Sequence, residues 1–371
     1  MSLKNVIPYR FQPAGLTDAV AEDFGFPGAC NLLTNLIPDP GNSNVWQARP
    51  ASVQIAALPA AFAANAFISA MIVVGNRVFG MAAAASGAMS GKDIPFCYDL
   101  VTNLFISITG AVAGNTPASL ASSYSDWTPP QMIVVGTFVI ITHAGYDGTT
   151  NFFGWINISN PSSLTYNAGN TSINALPAKP IAVAQFGQRA YYMVNPPTGQ
   201  PTIYATDVLL PLQITNATFA VSFGDNIPLT GFGYISLQSP LTGGITQALL
   251  VFKGASNIFQ VTGDFSGSNV SSNNMNAATG TLAINTIINT PEGTVFMSPD
   301  GVRKITSQGN ISPPIGAAGK GIVNPFTFAL TQTRAAAAST AGVFRITVQN
   351  SNVPGSPLQE FWYDLVQQRW S

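Results

Sequence analysis

Apolar runs a few residues long, broken by clusters of Gly, Pro, Asn and Ser, recur along almost the whole chain. Helical periodicity is weak, and regular short runs between turn residues predict an all-β architecture. Two of the runs are identical. Met71-Ile-Val-Val-Gly75 leads into Arg77-Val-Phe-Gly-Met81, and Met132-Ile-Val-Val-Gly136 leads into Phe138-Val-Ile-Ile-Thr142. Looser versions of this strand–turn–strand unit follow. Ile181-Ala-Val-Ala-Gln-Phe-Gly187 leads into Arg189-Ala-Tyr-Tyr-Met193 and then Pro201-Thr-Ile-Tyr-Ala-Thr206. Ala248-Leu-Leu-Val-Phe-Lys-Gly254 leads into Asn257-Ile-Phe-Gln-Val-Thr262. Gly293-Thr-Val-Phe-Met-Ser298 passes through the hairpin signal Pro299-Asp300-Gly301 into Val302-Arg-Lys-Ile-Thr306, and Gly342-Val-Phe-Arg-Ile-Thr-Val348 leads into the closing Tyr-Asp strand.

A second repeat ties the first unit to the last. Phe96-Cys-Tyr98-Asp99-Leu-Val-Thr-Asn-Leu-Phe105 returns, altered, as Phe361-Trp-Tyr363-Asp364-Leu-Val-Gln-Gln-Arg-Trp370, with an aromatic residue at each end of both copies. Alternation along a strand puts Phe96, Tyr98 and Leu100 on one side, and Phe361, Tyr363 and Leu365 likewise. With these copies in the first and sixth units, the step averages about 53 residues, against roughly 40–50 for common propeller blades. The expected fold is therefore a β-propeller of about six blades, whose radial repetition protects its sheet edges. Residues 107–127 read either as a long loop or as part of a strand pair, which leaves the blade count open by one.

Residues 1–50 depart from the pattern and are expected to form an N-terminal arm, with residues 51–371 as the propeller. Asp18, Glu22 and Asp23 lie in a short helix-compatible run, and Asn31-Leu-Leu-Thr-Asn-Leu-Ile-Pro-Asp-Pro-Gly41 reads as a strand ending in a turn. Asn44-Val45-Trp46-Gln47-Ala48-Arg49 alternates and reads as a further strand stopped by Pro50. The last unit ends at Trp370-Ser371, short of an outer strand on this reading. Val45, Trp46 and Arg49 are the predicted closure of the last blade, the alternatives being a last blade that stops early or one that continues in further sequence.

Composition narrows the class. Of 371 residues 46% are hydrophobic and only 8% charged, for a net charge of −1. An ordinary soluble domain carries about 25% charged residues. Asn, Ser, Thr, Gln and Gly must then supply the polar surface, which suits burial in a large assembly. Such a chain lacks the basic footprint of a stable nucleic-acid binder. Residues 52–75 hold no charge and are long enough to imitate a membrane span, but Gln54, Pro59 and Asn65 interrupt them, and no membrane helix is expected. No secretory signal is read at the N-terminus.

Chemistry-bearing residues are sparse. Two cysteines, Cys30 and Cys97, define no disulfide framework and are expected to be free thiols. The single histidine, His143, follows an apolar strand beside Gly145 and is expected to be a turn residue. There is no Cys-x-x-Cys, phosphate loop or nucleophile elbow, so no metal, cofactor or catalytic residue is assigned. Asp147, Asp207, Asp225, Asp264 and Asp300 sit beside turn glycines or at strand ends, where Asp bonds its own backbone. Asp99 and Asp364 are unusual, because Asp is disfavoured in strands. Their structural reading, with Tyr98 and Tyr363, is a carboxylate that accepts amides of a neighbouring turn and fixes the blade edge. The functional reading is a ring of acids facing a partner or lumen. Trp127, Phe138, Phe153 and Trp155 read as blade core.

The arm's Asn31–Pro40 tract, followed by a strand ending Arg49-Pro50, resembles the tail nozzle proteins of short-tailed bacteriophages, also called packaged-DNA stabilisation or tail hub proteins. Further matching tracts are Arg77-Val-Phe-Gly, Phe186-Gly-Gln-Arg-Ala-Tyr, Ile203-Tyr-Ala-Thr-Asp207, Val251-Phe-Lys-Gly-Ala-Ser-Asn-Ile-Phe-Gln-Val-Thr-Gly263 and Pro291-Glu-Gly-Thr-Val-Phe-Met-Ser-Pro-Asp-Gly-Val-Arg303. This chain departs in having no long insertion for a separate tip domain. The resemblance implies a non-enzymatic virion subunit of the tail, assembled in the host cytoplasm. It implies a homo-oligomeric ring, a hexamer, below the portal and head-to-tail adaptor. That ring would retain packaged double-stranded DNA, form its exit channel and present surfaces to a tail needle, fibres or tailspikes. The competing readings are a carbohydrate-binding or glycoside-cleaving propeller adhesin and a scaffolding module of a secreted machine.

Overall fold

The computed structural model describes residues 57–62, 68–83, 93–110, 130–171, 173–215, 219–238, 245–263, 270–275, 277–315, 335–340, 342–349, 358–365 and 369–370. Strand backbones are also described at 15–16, 29–30, 36–39 and 42–48. The fold is all-β, a six-bladed β-propeller built from small antiparallel sheets. Blade one is Ile68–Val74, Arg77–Ala83, Asp93–Asp99 and Leu104–Ile106, in chain order. Blade two is Gln131–Val135, Phe138–Thr142, Phe153–Asn157 and Leu164–Gly169, with Ile108–Thr109 added in parallel beside Leu164. Blade three is Ala182–Phe186, Arg189–Val194, Thr202–Ala205 and Ala220–Ser222, and blade four is Leu229–Gln238, Ile245–Lys253, Asn257–Thr262 and Ser271–Asn274. Ile68–Val74 is a strand, and among the described residues no helix is long and apolar enough to cross a membrane.

The chain divides into two compact units, Gln54–Ile284 on one hand and Met1–Val53 with Asn285–Ser371 on the other. In the first, strand alternation feeds two cores at once. Val139 and Ile141 share a core with Phe79, Met81 and Cys97 of blade one. Ile140, between them in sequence, shares another with Val183, Ala190 and Tyr192 of blade three. Tyr191 and Met193 in turn join Leu249, Val251 and Val261 of blade four. Each fully buried side chain of this kind contributes about 1.5–3 kcal/mol. The two identical pentapeptides open blades one and two, and both turn at a glycine with positive φ, Gly75 at 58° and Gly136 at 57°.

The second unit holds blades five and six. Blade five is Ile288–Thr290, Gly293–Ser298 and Gly301–Ile305. Its fourth position is taken by an irregular segment, in which Ser312 N donates to Lys304 O (2.8 Å) and Ile315 N to Val302 O (2.7 Å). Blade six is Ala336–Thr340, Val343–Gln349, Leu358–Asp364 and Arg369–Trp370. Trp370 is fully buried and donates from Nε1 to Ile315 O (3.0 Å).

Two expectations are corrected. Gly254 and Gly301 turn between the second and third strands of their blades, not between the first and second as at Gly75, Gly136 and Gly187. The opening strands of blades four and five are Leu229–Gln238 and Ile288–Thr290. An apolar strand followed by a tight glycine turn looks the same at either hairpin of a meander. Nor does the arm supply the last blade's outer strand. Asn42–Ala48, which carries Val45 and Trp46, pairs with Leu36–Asp39 in a separate two-stranded sheet, and blade six is completed by Arg369–Trp370. Both choices are local hairpins, which close short loops at less entropic cost than distant pairing. Arg49 and the helix-compatible run at 18–23 lie outside the described residues.

Tyr146 and Tyr166 are buried and joined through their hydroxyls (2.7 Å) beneath Gly154. A Cβ at Gly154 would overlap the Tyr146 hydroxyl and lie 2.8 Å from the Tyr166 ring. Gly187 has open space around it but φ of 52°. Gly154→Ala should therefore cost about 3 kcal/mol through overpacking, and Gly187→Ala about 1 kcal/mol through backbone strain. Urea denaturation of the two variants checks this ordering.

Candidate functional site

The Tyr-Asp repeat is one hairpin built twice. Arg77 faces Asp99 and Tyr98 faces Phe105 in blade one, while Val343 faces Asp364 and Tyr363 faces Trp370 in blade six. Leu100 N donates to Asn76 O, and Leu365 N to Gly342 O, each at 2.8 Å. The Tyr98–Phe105 ring centroids are 5.0 Å apart and the Tyr363–Trp370 centroids 4.9 Å. Asp99 Oδ1 accepts the amides of Val101 (2.9 Å) and Thr102 (3.0 Å), and Oδ2 accepts Arg77 Nε (3.3 Å). The Thr102 and Val101 amides, then Arg77, hold its carboxyl below the usual carboxylate range. Arg77 also reaches over to Pro161 O of blade two (2.8 Å). Asp99 thus organises the turn that its own strand enters. Beneath it Cys97 is free and buried, and burial pushes its thiol up to about 11.

At the opposite ends of these strands lies a cluster that the sequence pattern did not assemble. Asp93 Oδ2 accepts Ser69 Oγ (2.7 Å) and His143 Nε2 (2.8 Å), and all three residues are buried. Ser69 and Asp93 belong to blade one, and His143 begins the loop after the second strand of blade two. The Gly145 amide donates to His143 Nδ1 (2.8 Å), so the ring carries its proton on Nε2. The acid sits in the middle, between serine and histidine. A hydrolase triad needs the imidazole there, with a lone pair facing the hydroxyl. In this arrangement a carboxylate and no imidazole faces Ser69, and the cluster acts as a polar clasp between two blades. Its signals in the sequence were a lone Asp opening an apolar strand and a lone His closing one.

The other charges are spent in the same way. Lys253 is buried, bonds Phe223 O and pairs with Asp225 Oδ1 (2.6 Å). Lys179 Nζ donates to Ala144 O (2.6 Å) and Tyr146 O (2.9 Å). Arg189 donates to Thr206 O and lies over the Phe219 ring. Arg303 pairs with Asp300, Lys304 with Glu292 (2.7 Å), and Arg345 stacks 3.9 Å from the Trp362 ring centroid. Asp147 Oδ1 accepts three amides, from Thr149, Thr150 and Asn151. Among the described residues no three of His, Cys, Asp and Glu gather to hold a metal ion. Phe153 is fully buried, with Phe138 and Trp155 packed against the same core, whereas Trp127 and Asp264 lie outside the described residues.

His143→Ala strands the Asp93 carboxylate with one donor and should cost about 3 kcal/mol. His143→Gln, whose amide still donates, should restore part of that in the same urea denaturation. Backbone amides hold down Asp147, the Lys253 side chain Asp225, and Arg303 Asp300, the last to about 2. Because these folded-state values lie below the unfolded one, the stability they give is complete above about pH 4 and is lost as pH falls toward 2. Thermal melting followed by circular dichroism should fall across that window, and less steeply in Asp300→Asn.

No family model matches the chain, and no curated protein matches it. Solved structures do. The computationally designed Ika8 protein is 12% identical over 82% of this chain and 86% of its own, with a TM-score of 0.39. Chaetomium thermophilum Raptor is 11% identical over 82% of this chain and 24% of its own, with a TM-score of 0.47. A putative 6-phosphogluconolactonase from Bacteroides fragilis is 10% identical over 80% and 81%, with a TM-score of 0.45.

Proposed function

We propose that this chain is a structural subunit of a tail nozzle in a short-tailed bacteriophage, one member of a ring that retains and then conducts double-stranded DNA. The observation that carries this reading is where its charge goes. Every Lys and Arg whose side chain is described is engaged within the chain, by a carboxylate, a carbonyl or an aromatic ring. Phosphate neutralisation by free cations is what gives proteins their salt-dependent hold on DNA. A wall whose cations are already committed lets a duplex pass. Of the tracts that carry the resemblance, four fall on the second strand of blade one, the first turn of blade three and the central hairpins of blades four and five. Ser69, Asp93 and His143, and likewise Lys253, serve as clasps, in keeping with a subunit that bears load and performs no chemistry.

Negative-stain electron microscopy and native mass spectrometry, at rising concentration and with the portal and adaptor of the same virion, should show a closed ring with a central channel. A chain that stays monomeric at every concentration and forms no ring with those partners overturns the proposal.

A further inference from the structure

We propose that the rim carrying the outer hairpin tip of blade one and, beyond blade two, the loop of blade three is the surface on which a second copy of this chain seats. Val101 and Leu104 are 67% and 64% exposed, and Leu100 joins them at 39%. Val208, Leu209 and Leu210, in the loop after the third strand of blade three, are 45–50% exposed. These residues share one rim. In an antiparallel meander the first and third turns of a blade lie at the same end. Arg77 of blade one reaches Pro161 in the third turn of blade two (2.8 Å). Leu209 O lies against Gly136 in that blade's first turn, and Leu209 N donates to Gln188 O (2.7 Å) in the first turn of blade three.

The repeat supplies an internal control. Tyr-Asp-Leu occurs twice with the same backbone bond, yet Leu365 is 4% exposed where Leu100 is 39%. Exposure is therefore not imposed by the turn, and the same turn accommodates a covered leucine. The tip is also preorganised. Asp99 holds the amides of Val101 and Thr102, and Tyr98 Oη donates to Asn103 Oδ1 (3.2 Å). Little ordering cost remains to be met on association.

Charge selects the occupant. Arg77 and Asp99, the ionic groups beside the tip, neutralise each other at 3.3 Å. An anionic lipid surface or a nucleic acid would need free cations there. An uncharged protein surface fits, and a chain with 8% charged residues offers one in its own copies without repulsion. The six side chains form two apolar clusters on that rim with blade two between them, short of the ~800 Å² per partner of a standard interface, which the polar groups of the rim would complete. This rests on the reading of the chain as a ring-forming subunit, and names the face used.

Sedimentation velocity over a concentration series tests it with Val101→Asp/Leu104→Asp, the milder Val101→Ser/Leu104→Ser, and Ile227→Ser as an exposed control beside the Gly254 turn. The double Asp variant should shift self-association at least tenfold toward monomer, the Ser variant should shift it less, and Ile227→Ser should match the parent, all with unchanged melting. Rings that persist unshifted in both double variants overturn this inference and leave the ring reading standing. A parent chain that never associates, with or without portal and adaptor, overturns both.

Discussion

Sheets that are apolar on both faces impose the constraint on which this structure depends. In blade two, Val139 and Ile141 point to one core and Ile140 to another. In blade three, Tyr192 faces back while Tyr191 and Met193 face forward. A single sheet of this kind cannot bury both of its faces, and an isolated hairpin is marginal in water. Stacking sheets side by side removes both faces from solvent, and radial repetition is the propeller solution.

The apolar seams leave the strand ends to be joined by polar groups, and charged groups among the described residues are used there. His143 clasps Asp93 across the first seam, Arg77 reaches Pro161 at the other rim, and Asn195 binds both the N–H and C=O of Leu229 (2.9 Å each) across the third. Buried ions stabilise only when paired and fully bonded. Committing them internally fixes blade orientation and strips the described surface of cations. For the DNA conduit proposed above, the same economy has a use: a wall that conducts DNA has to avoid gripping it.

Much of the fold was legible because each signal was local. The Met-Ile-Val-Val-Gly copies mark two opening strands and their turns; the Tyr-Asp-Leu-Val copies read as single strands carrying Leu100 and Leu365, whereas each strand ends at its Asp and turns there into an outer hairpin. What failed depended on context. The turns at Gly254 and Gly301 carry the same local chemistry as that at Gly75, so pattern alone placed them at the wrong hairpin. The sequence marks a strand at residues 44–49 and the structure has it at Asn42–Ala48, but its partner is a choice between loop closures, decided by the nearby Leu36–Asp39. Ser69, Asp93 and His143 lie too far apart in sequence for any spacing to reveal them; only stacking of blades one and two brings them together. Asp99 is the more readable site, because the two amides it accepts lie within its own turn.

The claim that the cations are already spent is open to one direct measurement. Binding of a short DNA duplex, followed by fluorescence anisotropy between about 50 and about 200 mM salt, reports how many phosphates a protein neutralises. If the cations are spent, the short duplex shows no binding to the proposed ring and no salt-dependent slope. Tight binding that weakens with salt as though about four or more phosphates were neutralised would contradict it.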